Sequence, residues 1–469
     1  MVAPASKAWV VAAPTIMWFR RDLRLSDNPA LVQAVRNGDE VLPLFVIDPA
    51  LWGPAGANRR AFLVGCLRAL DDDMGGSLVV RHGDPTEVVP AVAKEVGAVA
   101  VHAAADYGPY GTRRDDAVLS ALSAEGCELM LEGSPYAVAP GTVRNQQDEP
   151  YKVFTPFSKA WRQVGWPAPV RRPSAPSWVT GIRSDSLPEA EPTADELPEP
   201  GEAAARRRLD NFLRSHIEHY AQRRELPGVD GTSRLSPHLK WGCLHPRQIL
   251  ARLDRSDGAE VFRSELAWRE FYADVLFHHP ASARQALQDH MSHIALDEGP
   301  ETDEAFAAWA EGRTGLPMVD AGMRQLLAEG WMHNRVRMLT ASFLVKDLHL
   351  NWTRGARHFM EHLVDGDLAS NQHGWQWVAG TGTDAAPYFR VFNPTTQSRR
   401  FDPDGTYLRR WLPELAHLDD RAIHEPWSAG ADLFDIADDQ AGEYPAPIVD
   451  HAAERAEALA RYQELRDRR

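Results

Sequence analysis

A short segment after residue 260 combines a carboxylate, a guanidinium and two aromatic rings at helical spacing. Glu265, Trp268, Arg269 and Tyr272 stand at positions i, i+3, i+4 and i+7, so a helix presents all four on one face. An ordinary buried face would carry Leu and Val, and an ordinary exposed face would not carry Trp and Tyr. A mixed stripe of this kind suits a cavity that stacks a nucleic-acid base and hydrogen-bonds its edge. A structural stripe with a satisfied Glu–Arg pair explains the same pattern equally well.

Hydroxyl groups are concentrated shortly after Tyr220. Thr232, Ser233 and Ser236 belong to the run Gly231-Thr-Ser-Arg-Leu-Ser-Pro237. Hydroxyls and backbone N–H groups at the start of a helix can bind a phosphate. The alternative is a plain helix cap followed by Pro in the first turn, with no ligand.

A third segment places two arginines on different faces of one predicted helix. Asn334, Arg337 and Met338 share a face, while Arg335 points elsewhere. Two arginines that face different ways could bind two different anions. The alternative is the solvated edge of an ordinary helix.

A fourth segment brings two carboxylates together in Asp365-Gly-Asp367, ahead of Asn371, Trp375 and Trp377. An EF-hand would need a Glu at position 12 of the loop, and Gln376 stands there, so we do not expect calcium. The carboxylates could instead accept hydrogen bonds from a ribose or from the edge of a flavin. The three cysteines lie far apart and form no C-x-x-C pair, so we expect no zinc site, no other metal and no disulfide framework.

The elements that must position these residues fall into two classes along the chain. Short apolar, β-branched runs alternate with helical patterns in the first part, which predicts βαβ units and a parallel sheet. The predicted strands are 15–19, 41–47, 78–81, 98–102 and 128–131. Prolines then recur between residues 167 and 200, which indicates a long connection on the surface. From about residue 202 to residue 411 the apolar spacing is helical, and 452–468 predicts a final exposed helix.

The bulk composition favours a cytoplasmic protein but does not identify a ligand. The formal net charge of −15 disfavours binding to nucleic acid only if the charge is spread evenly over the surface. Many of the acidic residues are concentrated in residues 189–202. The first 14 residues are too short and mixed for a signal peptide, and no run of about 20 apolar residues could span a membrane. We expect a monomer without membrane contact.

In their order and spacing, these segments resemble the photolyase/cryptochrome family from about Ile16 to His451. The similarity is carried by further motifs at Trp18–Arg24 with Asp27-Asn28, Tyr151–Phe157, Gly231–Ser236, Gly330–Arg335, Thr340–Asp347, Thr381–Arg390, Asn393–Gln397 and Trp411–Leu415. The resemblance implies a Rossmann-like α/β antenna domain at residues 14–135 with a five-stranded parallel sheet. An interdomain connection at 136–204 would join it to an all-α domain at 205–469 that binds FAD and DNA.

The resemblance also implies which residues hold FAD, in its reduced form FADH⁻. Asn371 matches the position that faces flavin N5. The implied contacts to the cofactor are Tyr220, Thr232, Ser233, Arg234, Leu235, Ser236, Arg337, Asp365, Gly366, Asp367 and Asn371.

The DNA contacts and the reaction follow from the same resemblance. The implied DNA-binding residues are Arg224, Glu265, Trp268, Arg269, Asn334, Arg335, Trp377 and Gln397, and the catalytic ones are Glu265, Asn334, Met338 and Asn371. The implied activity is that of a class I cyclobutane pyrimidine dimer photolyase, in which light-excited FADH⁻ gives an electron to a flipped-out dimer. A cryptochrome-type receptor and a (6-4) photolyase are the alternatives on the same fold. A general FAD oxidoreductase is less suitable, because G-x-G-x-x-G is absent.

The chain departs from the family at its electron relay. Trp375 and Trp352 match the proximal and middle tryptophans, but Gly299 stands where the distal one is usual. We therefore expect slow photoreduction of the flavin, or a different route through Trp331 or Tyr388.

A second departure concerns the antenna. The loop after the fourth strand lacks the Asn-Glu pair of folate-binding relatives, and Arg59, Asp106 and Lys240 match the deazaflavin-binding subgroup instead. We expect 8-hydroxy-5-deazaflavin as the second chromophore. The alternatives are 5,10-methenyltetrahydrofolate, another flavin or no chromophore.

Overall fold

The computed structural model describes residues 13–384, 390–428 and 444–467. Its first part contains a five-stranded, wholly parallel sheet. The strands are β1 (Thr15–Phe19), β2 (Val41–Ile47), β3 (Val79–His82), β4 (Ala100–Ala103) and β5 (Glu128–Leu131). They are ordered β3-β2-β1-β4-β5, so the direction of winding reverses between β1 and β4. Ligands of such sheets bind at the carboxyl ends of the strands beside that reversal.

Helices cover both faces of the sheet because parallel strands are apolar on both sides. They are α1 (Pro29–Asn37), α2 (Pro49–Trp52), α3 (Ala57–Asp73), α4 (Pro85–Val96) and α5 (Pro109–Ala124). The predicted α/β class and its strands are confirmed, with three strands at the predicted bounds and two shifted by one or two residues.

The Pro-rich connection is attached to both neighbouring domains. It contains α6 (Phe154–Val164) and is mostly exposed between residues 171 and 200. Val41 donates to the Ser177 carbonyl at 2.9 Å, and Val179 donates to the Val41 carbonyl at 3.0 Å. Further on, the Asp195 N–H donates to the Ala328 carbonyl at 2.8 Å. The connection therefore runs along the molecule as a bound segment.

The rest of the described chain is helical, as predicted. The helices are α7 (Glu202–Ser215), α8 (Tyr220–Arg223), α9 (Ser236–Trp241), α10 (Pro246–Leu250), α11 (Asp257–His278), α12 (Pro300–Ala310), α13 (Pro317–Glu329), α14 (Asn334–Lys346), α15 (Trp352–His362), α16 (Leu368–Ala379), α17 (Pro394–Phe401), α18 (Thr406–Trp411) and α19 (His451–Asp467). None of the helices in the described ranges has both the length and the apolar character needed to cross a membrane.

One apolar core crosses the predicted domain limits. It joins Phe19 and Leu67 of the α/β part to Phe212 and Phe271 of the helical part. A second core, around Trp309 and Phe343, lies within the helical part. The division at residues 135 and 205 stays a prediction, because packing is continuous across it.

Candidate functional site

The predicted stripe on α11 exists and is half-buried throughout. Glu265, Trp268, Arg269 and Tyr272 all have intermediate exposure on this helix. Trp268 stacks on Phe154, with ring centroids 3.6 Å apart and planes 8° from parallel. Trp268 is therefore held as a fixed aromatic wall.

Two of the predicted DNA-binding arginines are joined by a glutamate that sequence reasoning missed. Arg224 Nη1 lies 2.6 Å from Glu265 Oε1, and Arg224 Nε lies 3.3 Å from Glu225 Oε1. Arg335 Nε donates to the other oxygen of Glu225 at 2.6 Å. Glu225 follows Arg224 directly in the sequence. Its hydrogen bond with Arg335 of α14 depends on the tertiary structure, so the sequence alone could not show it.

Asn334 and Met338 lie together at the start of α14, beside Arg335. The Met338 sulfur is 4.0 Å from Asn334 Nδ2 and 4.0 Å from Arg335 Nη1. The Arg335 guanidinium lies 4.5 Å from the ring centre of Phe401, the last residue of α17. Because α17 also carries Gln397, the structure brings these predicted DNA and dimer contacts to one region.

Arg269 has a different environment from the other predicted DNA contacts. Its guanidinium donates to the carbonyls of Pro135 and Leu239, both at 3.2 Å, and lies 4.6 Å from the ring centre of Tyr136. In this arrangement Arg269 joins α11 to the start of the interdomain connection, at Pro135, and to α9, at Leu239. Its predicted role in DNA binding stays a prediction.

The turn Asp365-Gly366-Asp367 joins α15 to α16, and its two carboxylates have separate partners. Arg337 Nη2 lies 2.8 Å from Asp365 Oδ2, while Asp365 Oδ1 is buried with no hydrogen-bond partner among the described residues. Asp367 caps α16 through the Ser370 N–H at 3.2 Å. Its other oxygen lies 2.7 Å from Arg21 Nη2. Arg21 lies in the Trp18–Arg24 motif, but the sequence alone does not show that it pairs with this turn.

Electrostatics around Asp367 are dominated by burial and by cations. Burial acts to raise the pKa of Asp367, but Arg21, Lys240 and Arg269 outweigh it and hold that pKa far below its usual range. Lys240 Nζ is 4.0 Å from Asp367 Oδ2. Burial, and then the charge of Arg21, lower the pKa of Lys240 to about 7.

Asn371 and Trp375 lie on α16, which follows this turn. Asn371 Nδ2 donates to the Ala356 carbonyl at 3.0 Å and to Gln372 Oε1 at 2.8 Å. Trp375 is buried, and its Nε1 has no hydrogen-bond partner in the described part of the chain. The two side chains are thus fixed by α15 on one side.

The predicted phosphate loop is connected to the same turn through Trp331. Arg234 has a φ of 47° and lies 4.3 Å from the Trp331 ring centre, and Arg337 lies 6.0 Å from it. The Ser233 carbonyl accepts a hydrogen bond from Arg208 Nε at 2.8 Å. Tyr220 is buried against Phe212 and Phe262 and lies beneath the Arg224 guanidinium. Arg234 and Arg337 thus contact the same indole ring, and Arg337 pairs with Asp365, so these predicted cofactor residues form one chain of contacts.

The tryptophans of the predicted relay lie in different surroundings. Trp375 has Trp309 as a ring neighbour, with centroids 6.1 Å apart. Trp352 is the first residue of α15 and lines a cleft of about 430 Å³. Gly299 is the predicted place of the distal tryptophan, and a Cβ there would meet nothing within 4 Å. Tyr388, the other suggested route, lies outside the described residues.

Two of the three predicted antenna residues line a cleft at the carboxyl ends of β1, β2 and β4. This cleft of about 100 Å³ is lined by Arg59 and Asp106 and also by Arg20, Arg21, Arg114 and Trp241. Lys240 does not line it, but its Nζ lies 5.4 Å from the ring centre of Trp241, which does. Arg59 also donates to the carbonyls of Met360 and Leu363, so it spans from the cleft to the end of α15.

Comparisons with known proteins agree with this architecture. The family model for DNA photolyase matches residues 15–176, and the FAD binding domain of DNA photolyase matches residues 262–464. A deoxyribodipyrimidine photo-lyase from Streptomyces griseus is 42% identical over 464 residues, covering 96% of this chain and 98% of the relative.

Two solved structures are similar over nearly the whole chain. A class III photolyase from Agrobacterium tumefaciens has a TM-score of 0.92 and 37% identity, covering 99% of this chain and all of the other. An archaeal photolyase from Sulfolobus tokodaii with two FAD molecules has a TM-score of 0.81 and 29% identity, covering 96% and 100%. Because the first of these is a class III protein, the expected class I assignment is not confirmed and stays a prediction.

Proposed function

The chain belongs to the DNA photolyase family, and on that premise we propose that it repairs cyclobutane pyrimidine dimers in DNA with light. It is an enzyme of the deoxyribodipyrimidine photo-lyase class. The observation that carries the proposal is the network of Arg224, Glu265, Glu225 and Arg335 beside Asn334, where cations and a fixed aromatic wall meet.

The polar atoms around α14, α15 and α16 fit a bound FAD. Asp365 Oδ1 and Trp375 Nε1 are both buried without partners in the described residues, and a bound ligand could supply hydrogen bonds to them. The residues that would hold the cofactor are the predicted ones, from the phosphate loop to Arg337, Asp365 and Asn371. When bound, reduced FAD would supply the light-driven electron that opens the cyclobutane ring of the dimer.

The side chains of the protein would bind and orient the DNA. Trp268 would offer a rigid surface on which an extruded base stacks, because Phe154 already fixes its plane. Arg335 is held by Glu225 until a DNA phosphate competes for its guanidinium. Glu265 would accept hydrogen bonds from the dimer, with Arg224 at 2.6 Å balancing its charge.

The environment of His333 favours cyclobutane dimers over (6-4) photoproducts. His333 is buried, and its Nδ1 accepts a hydrogen bond from the Arg335 N–H at 3.2 Å as the cap of α14. Burial, then Arg335 and Arg337, lower the pKa of His333 to about 3. A histidine that is kept neutral and used as a helix cap is a poor candidate for the proton donor that a (6-4) enzyme needs.

The test is repair of a thymine-dimer oligonucleotide with and without blue light. We expect restored thymines only in light, at least about tenfold less repair with Glu265→Ala, and no change with Glu311→Ala, whose side chain is 57% exposed. A (6-4) oligonucleotide should stay unrepaired. Wild-type protein that binds FAD but leaves the thymine dimer intact in light would support the cryptochrome alternative.

For the second chromophore we propose 8-hydroxy-5-deazaflavin in the cleft beside Arg59 and Asp106. The support is electrostatic, because Arg20, Arg21 and Arg114 also line the cleft and would attract an acidic chromophore. A second FAD is the alternative, in view of the Sulfolobus relative. Extraction and absorbance spectroscopy of the purified protein distinguish these chromophores from a folate.

A further inference from the structure

We propose that His358, Glu361 and His362 form a binding site for one divalent transition-metal ion, with Zn²⁺ as the best match. The three side chains occupy positions i, i+3 and i+4 at the end of α15, so they share one face of the helix. One ligand atom from each lies within 4.8 Å of the others. Two imidazoles and a carboxylate form a common zinc donor set, and an H-x-x-E-H sequence occurs on zinc-binding helices.

The surroundings of His358 favour a ligand over a purely structural histidine. Its ring packs against Trp309 and Phe306, with centroids 5.4 Å and 6.0 Å away. Its Nε2 is nevertheless buried and has no hydrogen-bond partner among the described residues. A metal ion bound between the three side chains would give this nitrogen a partner.

The backbone that carries the three side chains is held at the end of α15. The His362 carbonyl accepts from Asn58 Nδ2 at 2.7 Å, and the Met360 carbonyl accepts from Arg59. Because this turn is anchored to α3, the cluster stands on a fixed backbone.

Solvent can reach the site from one side. Glu361 is exposed while both histidines are half-buried, so the ion would enter past the carboxylate. Three protein ligands leave one tetrahedral position for water. The sequence-based expectation of no metal was drawn from the cysteines and from the Asp365 loop, and neither feature bears on these histidines.

The consequence of binding would be mechanical. The site ends three residues before Asp365, and α15 is joined here to α3 of the α/β domain. A bound ion would therefore fix the last turn of α15 against the domain boundary and would stiffen the start of the Asp365 turn.

The test uses the full-length flavoprotein after dialysis against EDTA. Titration with ZnSO₄ in a calorimeter should give one ion per chain. His362→Gln or Glu361→Gln should weaken Zn²⁺ binding at least about 100-fold. His417→Gln, which changes an exposed histidine elsewhere, should bind like the wild type. Retained flavin absorbance shows that each variant is folded.

A second readout identifies the ligands directly. Electron paramagnetic resonance of one equivalent of CuSO₄ should show two imidazole nitrogens in the wild type and one in His362→Gln. Equal Zn²⁺ affinity in wild type and both cluster variants, or no saturable binding by the wild type, would overturn the proposal.

Discussion

Arg21 and Asp367 form an ion pair across the boundary between the α/β domain and the helical domain, with Nη2 and Oδ2 2.7 Å apart. Both side chains are largely buried, and removing the arginine takes away the cation that acts most strongly on Asp367, ahead of Lys240 and Arg269. We expect Arg21→Ala to lower the free energy of unfolding by about 3 kcal/mol, because loss of one member of a buried pair strands the other charge. Urea denaturation and the FAD content of the purified protein measure the effect.

The matched control is Arg183→Ala. Arg183 pairs with Asp185 at 3.2 Å, but its side chain is 82% exposed. We expect a change below about 1 kcal/mol, as is usual for surface pairs. An equal decrease in the free energy of unfolding for Arg21→Ala and Arg183→Ala would contradict the prediction that the Arg21–Asp367 pair stabilises the fold more than a surface pair does.

Gly355 allows α15 to approach Trp375. A Cβ at this position would lie 2.1 Å from Trp375 Cη2 and 2.5 Å from Leu344 Cδ2. We expect Gly355→Ala to cost about 1–3 kcal/mol of stability through overpacking. It should also displace the indole and shift the absorbance spectrum of the bound flavin.

Gly374→Ala is the control on the facing helix. A Cβ there would meet nothing within 4 Å, so the variant should gain up to about 1 kcal/mol from helix propensity. In thermal melts, the melting temperature should therefore fall for Gly355→Ala and stay the same or rise slightly for Gly374→Ala. The flavin spectrum should change only in Gly355→Ala. A stable Gly355→Ala protein with an unchanged flavin spectrum would show that the contact is not tight.

His333 should make stability depend on pH in the acid range. Its pKa is about 3 in the folded protein, against an ordinary value of 6.5, so the unfolded chain binds a proton that the folded one does not. The free energy of unfolding should therefore fall as pH drops from 6.5 towards 3, by up to about 1.4 kcal/mol per unit from this group. His333→Asn keeps a capping oxygen and removes this contribution. Urea unfolding at pH 7, 6 and 5 tests the difference, and parallel curves for the two proteins would contradict it.

Photoreduction of the oxidised flavin should be slow, because glycine stands at position 299, where we predict the distal member of the relay, and offers no aromatic ring. The ring of Trp309 lies 6.1 Å from that of Trp375, which makes Trp309 a candidate for an alternative relay. With external thiol under blue light, we expect Trp375→Phe to abolish bleaching of the flavin absorbance and Trp309→Phe to slow it. A fast wild-type rate that Trp352→Phe alone abolishes would contradict this expectation.

The sheet could be predicted from sequence because its strands are short, β-branched and separated by helical patterns. Val41–Ile47 is buried along its whole length, which matches its continuous apolar sequence. The stripe on α11 could be predicted equally well, because helical spacing alone determines which side chains share a face. Spacing does not tell what that face meets, so the bonds of Arg269 to Pro135 and Leu239 could not be foreseen. Arg21 and Glu225 were missed because their partners are distant in the chain or on another helix.

The boundary contacts have a consequence for synthesis. Arg21 meets Asp367, which is 346 residues later in the chain, and Arg59 meets the Met360 carbonyl 301 residues later. The α/β domain leaves the ribosome first and can begin to fold there. Until residues 360–367 emerge, however, Arg21 lacks Asp367 and Arg59 lacks the Met360 carbonyl. A chain that is released before residue 360 would never gain the partners of Arg21 and Arg59. The contacts across the domain boundary are therefore present only in full-length molecules.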